Sequence, residues 1–553
     1  MALKQVLVPA LLALVLGGGA LAQEALHHEI HVKIFPEEGR LEGDCTVLVT
    51  SPKTEGKAVT FDMPDASLEA VEIDGIASEA FTDQDLGEVS KAYDIRQLTV
   101  PLPAAPGKET LSVRIRYHDE DFYATAVSPE DQKPFSLGQI DAEAGSFSSH
   151  IAYYPYVRHA GKSGDIHITV PEEQLAVSSG TLVEILRPEP GWVTYHWRSD
   201  RGSGILPYPF ACHTYNLLRD IASDGKTPLE IYYLQEDETF AREKLPLLQE
   251  IFAFYLGTFG SYPFPKLAVV ETNLLEGSIG LAAQSVVMLS QKVWFAASLD
   301  PGNTSLANRP LLVLADETAH QWNAYKVATP NFLAEGISRY TDSLYMAHRA
   351  SRKKGATAKD GEAVLATHMK LTRDSYFALI KGAPDLAISS PLVTPALYFI
   401  KGALALDMLR SRLGEETFLA GMRHYFTENE NKVTDLKGFS ESFERVASQP
   451  LWWHFDQWYN RNGHPLLRWT WTAVPAAARP TYTVSLTLEQ KQDGLPYRLL
   501  VPVEVRDATG AVERATVDLT ETIQKIDFNV SLTPSEVVID PEGRLPVELT
   551  KVP

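Results

Sequence analysis

Residues 309–345 read RPLLVLADETAHQWNAYKVATPNFLAEGISRYTDSLY. Leu311, Leu312, Leu314 and Ala315 open the stretch with an apolar, helix-period pattern that runs into Asp316-Glu317-Thr318-Ala319-His320. Residues four apart lie on one face of a helix, so Asp316 and His320 point the same way, with Glu317 beside them round the turn. Thr329-Pro330 then reads as a helix start with proline at the first helical position. Glu335 falls on the first turns of that second helix, and two groups from one helix with one from the next can converge on a single ion.

The spacing is that of the H-E-x-x-H zinc hydrolases: ligands at i and i+4, a glutamate as general base and a third ligand downstream. Here the set is Asp316, His320 and Glu335 around the metal, with Glu317 as the base. A bound ion acidifies water and polarises a carbonyl, and the glutamate moves the proton to the leaving amine. Alone, D-E-x-x-H also fits a buried acid pair meeting a cation, and Glu335 also fits an acid favoured by the dipole at a helix N-terminus.

Outward from this stretch, the 553 residues suggest about three domains. From 23 to 216 strand patterns dominate, among them HEIHVKIF, CTVLVTS, LSVRIRY, DIHITV and VTYHWRS. They predict an all-β sandwich or saddle. Helical periodicity begins with AREKLPLLQEIFAFYLGTFG and continues, with the strand-like KLAVVET inserted, to Trp458. This defines a helix-rich α+β domain over 217–465. After Gly463-His464-Pro465 the strand patterns return, predicting a C-terminal β-sandwich over 466–553. His27, His28 and His31 lie on an alternating strand with no matching acid or cysteine spacing, and read as a compositional feature rather than a ligand set. Trp322, Phe332, Trp452, Trp453 and Trp458 read as packing residues, and Arg410 and Arg412 as solvent-facing or locally paired.

Residues 1–22 read as a secretory signal peptide: Lys4, an apolar run from Val6 to Leu16, three glycines, then Ala20-Leu21-Ala22. The chain is therefore expected to be exported, into a periplasm or the medium. The apolar run is shorter than the roughly 18–20 residues of a membrane span, and no later stretch qualifies, so no integral membrane segment is expected. Export lets Cys45 and Cys212, the only cysteines, pair; two buried thiols fit equally well. A formal charge of −21 excludes nucleic acid as a natural partner, since phosphate binding needs a basic face.

The chain resembles the gluzincin aminopeptidase family, the one that holds membrane alanyl aminopeptidase and leukotriene hydrolase. The resemblance extends beyond the motif to FGSYPFPKLAVVE (259–271), AEGISRY around Glu335, YFIKGALALDMLRSRLGEETFLAGMRHYF (398–426), WWHFDQWYNRNGHP (452–465) and SSHIAYYPYVRHA (148–160). It implies a thermolysin-like catalytic domain between the two β domains, a zinc ion, and hydrolysis of peptide or protein substrates near their N-termini.

The chain departs from the family at four places. Asp316 stands where the family has the first histidine. Fourteen residues separate His320 from Glu335, against roughly eighteen in the family. The G-x-M-E-N segment that grips the substrate's free amine is replaced by LLEGSIGLAAQSVV; Glu276, Gly280 and Leu281 are the nearest counterparts. The catalytic tyrosine that precedes x-K-G becomes Phe399, with Tyr398 one residue early. An oxygen-rich set also suits manganese or another divalent ion. Losing an oxyanion donor costs about 10²–10³ in rate. Two functions therefore stand: an exported metallopeptidase with Glu317 and Tyr398 as catalytic groups, or a degenerate pseudopeptidase that binds peptides or a protein.

Overall fold

The computed structural model describes residues 25–85, 95–120, 122–127, 134–149, 151–157, 163–201, 207–272, 280–291, 309–475 and 481–552. The leader 1–22 and Glu276 lie outside the described residues. The chain divides into two compact units, residues 1–300 with 308–328, and 301–307 with 329–553. The division at 328/329 falls inside the segment 217–465.

The first unit is built on strands β1 (Ala25–Phe35), β2 (Arg40–Thr50), β3 (Ser67–Ile73), β4 (Ile76–Ala77), β5 (Thr110–Asp119), β6 (Ser163–Pro171), β7 (Thr181–Leu186) and β8 (Trp192–Ser199). They form one sheet in the order β7-β8-β6-β1-β2-β5-β3-β4. The period-2 alternation of these strands decides what faces inward. His28, Ile30, Val32 and Ile34 on β1 are buried, with Val47 and Val49 of β2, Val113 and Ile115 of β5, and Ile166 and Ile168 of β6. His27, Glu29, His31 and Lys33 take the opposite face. The histidine run is thus split by the pleat: His28 packs on Tyr154 and Tyr156, while its neighbours face solvent. Cys45 and Cys212 are both buried free thiols, and burial pushes Cys212 up to about 12.

The same unit carries a second sheet of strands β9 (Asn216–Ile221), β10 (Pro228–Tyr233), β11 (Leu267–Thr272), β12 (Gly280–Ala283) and β13 (Val286–Ser290), ordered β9-β10-β11-β13-β12. Strand β11, the KLAVVET segment, is buried along its whole length, as its unbroken apolar run requires. Helices α1 (Glu238–Phe259) and α2 (Arg309–His320) pack against one another and this sheet.

The second unit opens with helices α3 (Asn331–Ser351), α4 (Ala358–Ile380) and α5 (Pro395–Leu413). Pro330 caps α3 from outside rather than occupying its first turn. Helix α4 starts at a capping box, Thr357 with Asp360. Helices α3 and α5 cross closely, and glycines permit it: a Cβ at Gly336 would sit 3.1 Å from Gly402 Cα, and one at Gly402 3.0 Å from Gly336 Cα. Lys401, fully buried, donates to Asp385 Oδ1 at 2.8 Å and the Gly463 carbonyl at 2.9 Å. The lysine of the K-G pair thereby ties α5 to the Gly463-His464 segment.

Beyond residue 465 come two sheets, of four and three strands. Arg544 reaches back from them to Asp407 on α5, with Nε 3.0 Å from Oδ2. One expectation needs correction. Trp452 is exposed, because it opens a short helix with its ring outward. Arg410 takes the locally paired alternative: it is buried and bonded to Glu415, five residues on, as well as to Glu362. No helix among the described residues is long and apolar enough to cross a membrane.

Candidate metal centre

Helix α2 presents Asp316, Glu317 and His320 together: one donor atom from each lies within 4.8 Å of the others. The apolar residues of the helix explain this display, since Leu311, Leu314, Ala315 and Ala319 are buried against the unit's interior and turn the acids and His320 to one side. His320 Nε2 stands 3.5 Å from Asp316 Oδ2. The other ring nitrogen, Nδ1, hydrogen-bonds to Asn323 Oδ1 at 2.9 Å. An acceptor on Nδ1 fixes its proton there and leaves Nε2 as the lone-pair nitrogen, which is how metal-binding histidines are held.

The helix changes form just beyond His320. Residues Gln321–Lys326 form a π-turn directly after His320, a form that recurs at functional sites. The segment is anchored along its length. Gln321 donates to the Ala283 carbonyl at 2.9 Å and accepts from the Ser285 amide at 2.8 Å. Trp322 donates to the carbonyls of Gly260 and Ser261, and Lys326 reaches Ser261 O at 2.7 Å. The H-Q-W run thus clamps the end of α2 to the β12–β13 hairpin and to the end of α1.

Behind Glu317 lies Gly280, at the start of β12. A Cβ there would fall 2.7 Å from Glu317 Cγ, so the absence of a side chain at 280 makes room for the glutamate stem. Leu281 is half-buried on the same strand. Glu271 on β11 is a buried acid that sequence reasoning did not single out. Burial, then its hydrogen bond with Asp237, push its carboxyl up to about 8, while it accepts from the Leu234 amide at 2.8 Å.

In the second unit, Glu335 lies on the second turn of α3, half-buried. Tyr398, on the first turn of α5, is buried, and its hydroxyl accepts from Asn331 Nδ2 at 2.9 Å. Burial, and then the charge of Glu335, push the Tyr398 phenol up, while the Asn331 bond works against them. The hydroxyl is therefore a proton donor at neutral pH. Phe399 stacks on the Tyr398 ring at 5.6 Å and is half-exposed. The Gly336–Gly402 crossing holds Glu335 and Tyr398 on neighbouring helices. Asn331 is the member of this group that no spacing rule announces.

Residues 244–458 match the model of the peptidase family M1 domain. The chain carries a peptidase M1 domain. Among curated relatives, the aminopeptidase N of Escherichia coli (strain K12) is 23% identical over 207 residues, covering 36% of this chain and 23% of that protein. The aminopeptidase 2 of Candida albicans is 22% identical over 262 residues, 45% of this chain and 28% of that protein. The matched part therefore spans about a quarter of these relatives. The solved structure of Legionella pneumophila aminopeptidase A in complex with aspartic acid superposes over 97% of this chain and 60% of its own, with a TM-score of 0.70 at 14% identity. At that identity the likeness speaks for the fold: a β-rich N-terminal part, a helical middle and a C-terminal β part. The M1 domain contains Asp316, Glu317, His320, Glu335 and Tyr398.

Proposed function

We propose that the chain is an exported metallopeptidase of the aminopeptidase type, hydrolysing peptide bonds near peptide N-termini. One observation carries the reading: α2 gathers two donors and a carboxylate, with His320 oriented by Asn323. The donor chemistry fits a divalent ion. Asp316 and His320 would hold it, and the family resemblance makes Glu335 the third ligand. Zinc suits such a set, and the carboxylate share also admits manganese. When bound, the ion supplies Lewis acidity toward water and the scissile carbonyl.

The remaining chemistry belongs to the chain. Glu317 takes a proton from the attacking water and returns it to the leaving amine. Gly280 lets the glutamate stem lie flat against β12. Tyr398, protonated at working pH, is the proposed hydrogen-bond donor to the developing oxyanion, in place of the residue at 399. Gly280 and Leu281 stand where the family grips the free amine, and Glu276 is the proposed acid for that contact.

Metal analysis of the purified chain tests this. About one zinc or manganese per chain is expected, lost in Asp316→Ala and His320→Ala, whereas Glu317→Gln keeps the ion and loses roughly 10²–10⁴ in turnover. The second reading is a peptide-binding pseudopeptidase. It draws support from Phe399 at the family's tyrosine position. A chain that takes up no ion from excess zinc or manganese, yet binds peptides, establishes that second reading. N-terminal sequencing of the protein from the culture that begins at Gln23 supports export.

A further inference from the structure

The pleat of β1 sends His27, Glu29 and His31 to the outer face of the N-terminal sheet, and strand register supplies what the sequence around them lacks. Strand β6 runs parallel to β1, pairing Glu29 with Asp165 and His31 with His167. Strand β8 runs antiparallel to β6, pairing His167 with His196. Four histidines and two acids from three strands therefore share one patch.

Their geometry is that of a ligand set. His31 Nε2 and His167 Nε2 converge on one carboxylate oxygen, Glu29 Oε1, at 3.0 and 2.9 Å. The two rings lie parallel, 4.1 Å apart at 8°, so their Nε2 edges point the same way. His196 stacks on the other side of His167 at 4.0 Å and 18°. It is fixed by a hydrogen bond from Nε2 to Asp165, which also receives Arg198 Nε at 2.8 Å. His27 Nε2 lies 3.4 Å from Asp165 Oδ2, with Nδ1 on Ser163 Oγ at 2.8 Å. The side chain of His167 is only 13% exposed and that of Asp165 9%, while His31 is 52% exposed. The set is thus rigid beneath and open above. Metal–nitrogen and metal–oxygen bonds of about 2.0–2.2 Å place tetrahedral donors roughly 3.3 Å apart. The two Glu29 spacings are within a few tenths of an ångström of that, and the half-exposed His31 ring turns out of its stack with His167 to bring both lone pairs onto one ion.

We propose that Glu29, His31 and His167 form a divalent transition-metal site on the N-terminal sheet, separate from the centre on α2. Two imidazole nitrogens and one carboxylate select a borderline ion, zinc, copper(II) or nickel(II), over magnesium or calcium, which take oxygen sets. The fourth position faces solvent. Asp165 and His196 act as positioning residues by locking the His167 ring. The bound ion bridges β1 to β6, joining segments 136 residues apart, and so pins the first strand of the sheet.

The test uses the full chain freed of metal and carrying His320→Ala, so that α2 cannot hold an ion. Copper(II) is titrated and followed by electron paramagnetic resonance, then displaced with zinc. One equivalent bound more tightly than about 10 μM, with hyperfine structure from two nitrogens, is expected. His31→Asn and His167→Asn should each weaken it by about a hundredfold or more and remove one nitrogen; His196→Asn should weaken it by about tenfold, keeping both nitrogens. His31 is half-exposed, so His31→Asn leaves the sheet interior intact, and circular dichroism checks this. No equivalent below about 10 μM, or one whose spectrum is unchanged in both His31→Asn and His167→Asn, overturns the proposal.

Discussion

Gly280→Ala puts the proposed role of Glu317 under a graded test. The backbone at 280 lies outside the left-handed region, so alanine is free to adopt it and any effect comes from the methyl group alone. That methyl would sit 2.7 Å from Glu317 Cγ, 2.7 Å from Leu289 Cδ2 and 2.9 Å from Val313 Cγ1. Ordinary carbon contacts are about 3.5–4.0 Å, so relief requires movements of roughly 1 Å. Leu289 presents the far end of a flexible side chain and can yield. Glu317 is pressed at its stem, and its carboxylate must travel with it. A misplacement of about 1 Å costs on the order of 10²-fold in rate, equivalent to about 2.7 kcal/mol of transition-state stabilisation. The overpacking itself should cost about 1–3 kcal/mol of stability. Turnover on aminoacyl-nitroanilides should fall about a hundredfold in kcat with KM little changed and metal content intact. In a Glu317→Gln background the methyl should have almost no further effect, since both changes act through one carboxylate. A kcat within threefold of wild type, or the same hundredfold loss persisting on top of Glu317→Gln, refutes the assignment of Glu317 as a base seated against Gly280.

Three other perturbations test the frame around the sites. Asn323→Ala frees the His320 ring, and metal affinity measured by chelator competition should fall about 10–100-fold with the fold unchanged. Arg544→Met leaves Asp407, which is 3% exposed, with its charge uncompensated apart from the Tyr340 hydroxyl at 3.2 Å; chemical unfolding should register a loss of about 3–5 kcal/mol. His454 is held down to about 4 by burial, against its bond to the Ala405 carbonyl. The unfolded chain thus binds this proton first, and stability present above about pH 6.5 is lost as pH falls toward 4. The loss is about 3 kcal/mol, and His454→Gln, which can still donate to the carbonyl, should remove that share of the acid slope in urea titrations.

What the sequence disclosed follows the range of the interactions involved. The period-2 runs of 28–35 and 110–117 and the apolar run 267–272 became strands because alternation and continuity are properties of the segment itself. Asp316 and His320 were legible for the same reason: both stand on one helix, and i to i+4 spacing is enough to place them. The clamp formed by Gln321, Trp322 and Lys326 was not, because its partners, Ala283, Ser285, Gly260 and Ser261, are far along the chain. Nor was the π-turn at Gln321–Lys326, which arises from anchoring at both ends rather than from propensity. The proline at 330 shows the smaller error of boundary reading: it stops one position short of the helix, which begins at Asn331 and thereby places the amide that meets Tyr398.

The histidines of β1 show the same limit from the opposite side. Read along the chain, His27, His28 and His31 have no acid at metal spacing, and one of the three is turned into the core. The partners that change the reading, Asp165, His167 and His196, come from strands more than 130 residues away, and only the parallel register of β1 with β6 sets Glu29 beside Asp165 and His31 beside His167. A slip of one residue would move that entire set to the other face. The hydrophobic partners Ile30, Val32, Ile166 and Ile168 forbid the slip, since each would then face water. The burial of the inner face therefore fixes the chemistry of the outer one, and a substitution such as Ile166→Asp, which loosens the β1–β6 register, should disturb the copper spectrum of His31 and His167 without touching either residue.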